Sequence, residues 1–141
     1  MNSFKAQILT PEGTIFDDEV TGVKLPGTMG SFEVKTLHAN IISTLEIGEV
    51  LVRKATGEEL HYAITGGLVE VVDNKLNLLA EAAELVPEID IERAEAAKER
   101  AEERLESGKG DKEIDEERAK KALKRAENRI KLFSDITVST Q

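Results

Sequence analysis

The chain changes character at Pro87. Eight of its ten glycines lie before that residue, among short runs of β-branched and aliphatic side chains. The other two, Gly108 and Gly110, share one short polar stretch. Glycine-punctuated β-branched runs favour strands and turns, whereas long alanine-rich, charged stretches free of glycine and proline favour helices. That order predicts an α+β chain, strands first and helices second. We place an N-terminal antiparallel β-sandwich in residues 1–86, an antiparallel helical hairpin in 87–134 and a frayed polar tail in 135–141.

Within the first part, Phe4, Ala6 and Ile8 alternate with Lys5, Gln7 and Leu9 until Pro11-Glu12-Gly13 breaks the run. Thr14–Phe16, Val20–Leu25, Phe32–Val34, Ile41–Leu45, Glu49–Arg53, Leu60–Ile64, Leu68–Val72 and Leu76–Ala80 read as further short strands. Thr56-Gly57 and Asp73-Asn74 read as turns, and Gly66-Gly67 as a tight strand connection. The glycine pair lacks the spacing and the Lys-Ser or Lys-Thr ending of a phosphate-binding loop. Many short strands with no helices between them predict antiparallel pairing and two packed layers.

In the second part, Asp90 is a natural N-cap, since its carboxylate can accept from the free N–H groups of a first helical turn. Ala94, Ala97, Ala101 and Leu105 then recur on one face, and Ser107 to Asp111 stops the helix. A second stripe carries Ala119, Ala122, Leu123, Ala126, Ile130 and Phe133. Alanine on both stripes allows close approach of the axes but buries little area.

Composition removes several classes of function. The chain has no cysteine, and its two histidines, His38 and His61, stand apart, so neither thiolate chemistry nor a histidine-based metal site is expected. A net charge of -9 argues against nucleic acid and against direct binding of anionic lipid. No apolar run approaches a membrane span, and the N-terminus lacks a signal-peptide core. No nucleophile, metal cluster or coupled acid–base pair stands out, so the chain is not expected to be an enzyme.

Several segments, in order, carry a resemblance. They are Ile8-Leu9-Thr10-Pro11-Glu12-Gly13, Leu25 to Val34, Thr65-Gly66-Gly67-Leu68-Val69-Glu70-Val71, Leu79 to Glu84, Ile89-Asp90-Ile91-Glu92-Arg93-Ala94 and Leu123 to Arg129. Over residues 3 to 132 the chain resembles the epsilon-subunit family of the bacterial rotary F-type ATP synthase. Leu37-His38-Ala39-Asn40-Ile41-Ile42 is similar to that family's Gly-His-Ala-Pro-Leu-Leu, with Leu37 and Asn40 in place of its glycine and proline.

The resemblance implies a non-catalytic central-stalk subunit that helps couple proton-driven rotation to ATP synthesis. It would lie peripherally on the cytoplasmic face of the bacterial cell membrane as part of the complex. Its sandwich would bind the gamma subunit and the c-ring, with Ser31 and His38 on the ring side. Its hairpin would restrain ATP hydrolysis by extending among the alpha and beta subunits. Ile89-Asp90-x-x-Arg93-Ala94 resembles the family's regulatory ATP-binding motif. By the same resemblance Glu84, Arg100, Arg125 and Arg129 complete that site, with ATP as a regulatory ligand and no obligatory cofactor. Residues 88–141 hold 13 of the 19 lysines and arginines, and Arg118, Lys120, Lys121 and Lys124 form the expected inhibitory face. A stand-alone ATP sensor or adaptor would use the same Asp90–Arg93 motif.

Overall fold

A computed structural model describes residues 2–107 and 113–139. It holds seven strands, β1 (Phe4–Thr10), β2 (Gly13–Gly27), β3 (Gly30–Lys35), β4 (Ile41–Lys54), β5 (Glu59–Val72), β6 (Lys75–Ala80) and β7 (Ala83–Leu85). A 3-10 turn at Val86–Glu88 leads into α1 (Ile91–Ser107) and α2 (Glu113–Ser139). The chain divides into two compact units, the first ending at Leu85 and the second beginning at Val86.

Three strands are longer than the sequence pattern suggests. Thr14–Phe16 and Val20–Leu25 are one strand, β2; Ile41–Leu45 and Glu49–Arg53 are β4; Leu60–Ile64 and Leu68–Val72 are β5. The buried positions explain why each looked like two. In β5 they are Tyr62 and Ile64, with the small Ala63 between them, then Val69 and Val71; in β4 Leu45, then Val50 and Val52; in β2 Phe16 and Val20, then Val23 and Leu25. Each set switches from even to odd or from odd to even. A period-two pattern that changes phase reads as a break, yet here one twisted strand presents first one face and then the other to the core. In β2 the switch coincides with a register shift against β4 between Val20 and Gly22.

Gly66-Gly67 is therefore not a connection between strands but the bend within β5. Gly66 takes φ +111, open to glycine and strained for other residues. There the edge of β5 passes from β6, which pairs with residues 67–72, to β7, which pairs with residues 62–64. Gly67 lies under β6, where a Cβ would come within 2.2 Å of the Leu79 carbonyl oxygen. At Asp73-Asn74 both residues take positive φ (49 and 63), the pairing that a two-residue hairpin turn of right-handed strands requires.

The strands run in the order β1-β6-β5-β4-β2-β3, and β1 also pairs with β2, so five strands close on themselves. The sandwich is not antiparallel throughout: β1 and β6 are parallel. Parity demands it, because four antiparallel pairings around a ring of five bring β6 back to the direction of β1. The enclosed core contains Ile8, Val20, Leu25, Val34, Val50, Ile64, Leu76 and Leu78, each at most 1% exposed.

In the second unit α1 and α2 pack along each other as a hairpin, and the 3-10 turn packs on α2. Ala94 and Ala101 of α1 and Ala119 and Ala126 of α2 are buried, while Ala97, Leu105, Ala122, Leu123, Ile130 and Phe133 are only half-buried. The helix stop at Gly108 to Asp111 lies outside the described residues, as do Thr140 and Gln141. Residues 135–139, expected to fray, continue α2 to Ser139. Buried Leu132 and half-buried Ile136 extend its apolar stripe one more turn, and no glycine or proline interrupts it.

Candidate functional site

The start of α1 is built from the motif residues themselves. Asp90 Oδ1 accepts the backbone N–H of Arg93 at 3.1 Å, and the Asp90 carbonyl accepts from Ala94 at 3.0 Å. Asp90 is thus the N-cap, and Arg93 is the third helical residue. Ile89 before the cap and Ala94 after it are 5% and 0% exposed, at the two positions that form a hydrophobic staple. The Ile89 N–H donates to the Val86 carbonyl at 3.1 Å. Ile89, Asp90 and Ala94 therefore shape the helix start, while the Arg93 side chain projects into solvent.

Distances along the chain place the arginines. Ala101 stands six residues before the end of α1 (107 − 101) and Ala119 six after the start of α2 (119 − 113). Ala94 and Ala126 each stand thirteen away, so the four buried alanines form two facing layers. Arg93, Arg100, Arg118 and Arg125 each precede one of these alanines by one residue. Each is turned about 100° from the seam in the same sense, and Arg129, three residues past Ala126, about 60° in that sense. In an antiparallel pair, equal offsets fall on the same side of the seam. The fold thus gathers Arg93, Arg100, Arg125 and Arg129 along one side of the hairpin, with Arg93 level with the Arg125–Arg129 turn. Glu84 lies on β7 of the first unit and is half-buried.

Arg118 goes with the arginines, not with the lysines beside which the sequence reading set it. Lys120, Lys121 and Lys124 are exposed and, with Glu117, Leu123 and Glu127, line a shallow depression of about 450 Å³. Lys120 Nζ stands 3.4 Å from Glu116 Oε1, an exposed pair worth little by itself.

On the sandwich, Ser31 is exposed on β3. His38 is half-buried, and its Nδ1–H donates to the Ala39 carbonyl at 2.7 Å. Two asparagines clasp its loop to the β5–β6 turn: Asn74 Oδ1 accepts the Leu37 N–H at 2.7 Å, and Asn40 Oδ1 accepts the Asp73 N–H at 3.0 Å. Leu37 has φ 60, which explains glycine at the matching place in the resembling family. Its side chain is 82% exposed, so the hydrogen bond from its N–H to Asn74, and not burial, holds it in that conformation.

The sequence reading missed an apolar strip on the outer face of β4, β5 and β6. Ile42 (68% exposed), Leu68, Val72 and Leu79 (50%) all face outward. Leu68 pairs with Leu79 across strands, and Ile42 pairs with Glu70, one outward position from both Leu68 and Val72. Large aliphatic residues on the outward phase of otherwise alternating strands were the available signal.

A polar depression lined from β2, β3 and β4 is less apt for a ligand. It encloses about 530 Å³ between Asn2, Thr21, Glu33, Lys35, Thr36 and Arg53. Arg53 donates to Glu33 at 3.1 Å and also to Glu59. The Glu33 hydrogen bond raises the guanidinium further above its usual range, so a fixed positive charge there is already matched by two carboxylates.

Two family models cover nearly the whole chain: the ATP synthase delta/epsilon chain beta-sandwich domain over residues 3–86, and the long alpha-helix domain of that chain over 88–134. The chain belongs to the ATP synthase delta/epsilon-chain family. It is 47% identical over 133 residues to the ATP synthase epsilon chain of Protochlamydia amoebophila, covering 94% of this chain and 89% of that one. Against the epsilon chain of Salinibacter ruber the identity is 44% over 109 residues, 72% and 73% of the two chains. A chain in the Euglena gracilis mitochondrial ATP synthase shares the fold with a TM-score of 0.70 at 19% identity, covering 99% of this chain and 82% of its own length. The protein is thus an epsilon-type, non-catalytic stalk subunit of an F-type ATP synthase, a β-sandwich followed by a helical hairpin. Among the described residues, no helix is long and apolar enough to cross a membrane.

Proposed function

We propose that the sandwich fastens the chain to the rotor, against the gamma subunit and the c-ring, and helps couple proton-driven rotation to ATP synthesis. The complex holds it peripherally, on the cytoplasmic face of a bacterial cell membrane. The observation that carries this reading is the outer strip of Ile42, Leu68, Val72 and Leu79, a continuous apolar surface that a stable soluble sheet has no reason to expose. Leu37 and His38 extend the contact at the clasped loop, and Ser31, at the far end of β3, adds a further point of contact. The test is add-back of the full chain to ATP synthase stripped of its epsilon subunit. The wild type should bind and restore coupled proton pumping. Leu68→Asp with Leu79→Asp should weaken binding at least tenfold, because a carboxylate buried without a partner costs more than about 1.4 kcal/mol. A wild-type chain that does not bind the stripped complex overturns the reading.

The hairpin is the regulatory part, and ATP is its ligand. The arginines gathered along one side of a thin alanine seam, Arg93, Arg100, Arg125 and Arg129 among them, form a positively charged strip that a bound triphosphate matches. No catalytic base or metal is needed for binding alone, so ATP is held and not hydrolysed. Calorimetry on the isolated chain should show ATP binding without turnover. Arg93→Ala should lower affinity roughly tenfold, the value of a lost charge-assisted hydrogen bond. Equal affinity in the two proteins removes Arg93 from the site.

A further inference from the structure

Resting on the rotor reading above, we infer that Leu37 is a pre-set anchor that seats in an apolar recess of the gamma subunit, and that Asn40 and Asn74 hold it out for that contact. An exposed leucine by itself says little, because single apolar side chains are common on surfaces. Leu37 differs in where its backbone sits. The Lys35 carbonyl accepts the His38 N–H at 3.2 Å, so residues 35–38 form a tight turn with Leu37 third. Of these four residues Leu37 alone has positive φ, at 60, the arrangement in which the third position takes glycine or asparagine. A leucine there is strained, and its side chain meets solvent, so folding gains little from it. Such strain persists where the surroundings over-determine the backbone, and here they do. Asn74 Oδ1 accepts the Leu37 N–H at 2.7 Å, Asn40 Oδ1 accepts the Asp73 N–H at 3.0 Å, and Thr36 Oγ1 donates to the Ser3 carbonyl at 3.2 Å.

Position names the partner. Asn40 stands two residues before Ile42, and Asp73 directly follows Val72, so the clasp sets Leu37 at one end of the outer apolar strip. Leu37 therefore continues the surface on which the rotor reading rests. Ser31, which the resemblance places on the ring side, stands at the other end of β3, about 20 Å away along extended chain. With the Ser31 end turned to the ring, the Leu37 end is turned away from it, toward gamma. His38, next to Leu37, goes with it. The family's glycine offers no side chain at this place, so the anchor is particular to this chain and adds to any contact that the family shares.

The experiment adds the full chain back to two epsilon-free assemblies from the same organism, the alpha-beta-gamma assembly without the ring and the whole complex, and measures affinity. Denaturation and hydrogen exchange of the residue 37 amide are read on each free variant. Leu37→Gly should lower affinity for the ring-free assembly at least about tenfold, as expected on losing one buried leucine. Its denaturation midpoint should not fall, because glycine suits that backbone better. Leu37→Met keeps an apolar side chain and should stay within about threefold of wild type. Asn74→Gly tolerates the φ of 63 at that turn but removes the acceptor, so the Leu37 amide should exchange faster and affinity should fall roughly threefold. In the Leu37→Gly background the same change should have almost no further effect on affinity, since the clasp acts through the leucine. Leu37→Gly at wild-type affinity refutes the anchor, and an equal loss from Asn74→Gly in both backgrounds refutes the clasp. A wild type that binds the whole complex but not the ring-free assembly removes gamma as the partner. A wild type that binds neither takes down the rotor reading itself, a result separate from the others.

Discussion

Gly67→Ala should cost the first unit about 3 kcal/mol or more, enough to take much of a small domain's stability. The added methyl would stand 2.2 Å from the Leu79 carbonyl oxygen and 3.0 Å from the Ala80 Cα. Both are backbone atoms, so no rotamer change relieves the contact, and β6 must move off β5. That strand carries Leu76 and Leu78 into the core, each at most 1% exposed, so displacing it opens the interior. Gly57→Ala is the control. Gly57 has φ +98 but open space around it, so the change strains the backbone without a clash and should cost about 1–2 kcal/mol. The measurement is chemical denaturation followed by tyrosine fluorescence. Tyr62 is the only tyrosine, the chain has no tryptophan, and its ring lies in this core 6.5 Å from that of Phe16. The signal therefore reports the sandwich and not the hairpin. A Gly67→Ala midpoint within 1 kcal/mol of wild type would mean that β6 yields more easily than its backbone contact implies.

The same glycine pair shows where the sequence was legible and where it was not. Strand content, turn positions and the two-helix hairpin follow from local signals: alternation, Thr56-Gly57, Asp73-Asn74, and the capping Asp90. The continuity of β2, β4 and β5 does not, because a strand that changes its inward face midway breaks the period on which strand recognition depends. The parallel β1–β6 pair is a property of ring closure, which no local window contains. At the candidate site, the spacing of Arg125 and Arg129 puts them on one helical face, and so does the spacing of Arg93 and Arg100. Arg118, seven before Arg125, shares that face by the same spacing; that the arginines of the two helices fall on one side needs the alanine seam, since only the seam tells which way each helix is turned. The outer strip of Ile42, Leu68, Val72 and Leu79 stayed hidden because aliphatic residues in strands read as core until the phase of each strand is known.

Removing the hairpin, residues 88–141, from the assembled complex should raise ATP hydrolysis at least about fivefold, the lower end of a typical allosteric coupling, with synthesis largely retained. The expectation rests on the regulatory reading and on how the hairpin is held together. Of its helical side chains only four alanines and Leu132 are buried, and a methyl contributes only about 0.8 kcal/mol, so separating the helices costs less than opening a seam of buried leucines. A hairpin that opens cheaply can be tipped by a ligand whose preference for one state is modest. Nucleotide gathered by the arginine side would favour the closed form; once released, α2 offers Lys120, Lys121 and Lys124 to the acidic surface of a catalytic subunit. Lys120 and Lys124 are exposed and off the arginine side, whereas Lys121 stands four residues before Arg125, so Lys120→Glu with Lys124→Glu should relieve part of the inhibition and leave ATP affinity nearly unchanged. High salt should weaken inhibition in the wild type and matter less in the double variant, because exposed charge pairs are screened within about a Debye length. Hydrolysis is measured in membranes carrying each form, with proton pumping to confirm coupling. If hydrolysis stays the same after the whole hairpin is removed, the hairpin is not the brake, and the sandwich alone accounts for what this chain does in the stalk. If the deletion releases hydrolysis and the lysine reversal does not, the brake is held by another face of α2, and the stripe of Arg118, Arg125 and Arg129 is the next to reverse.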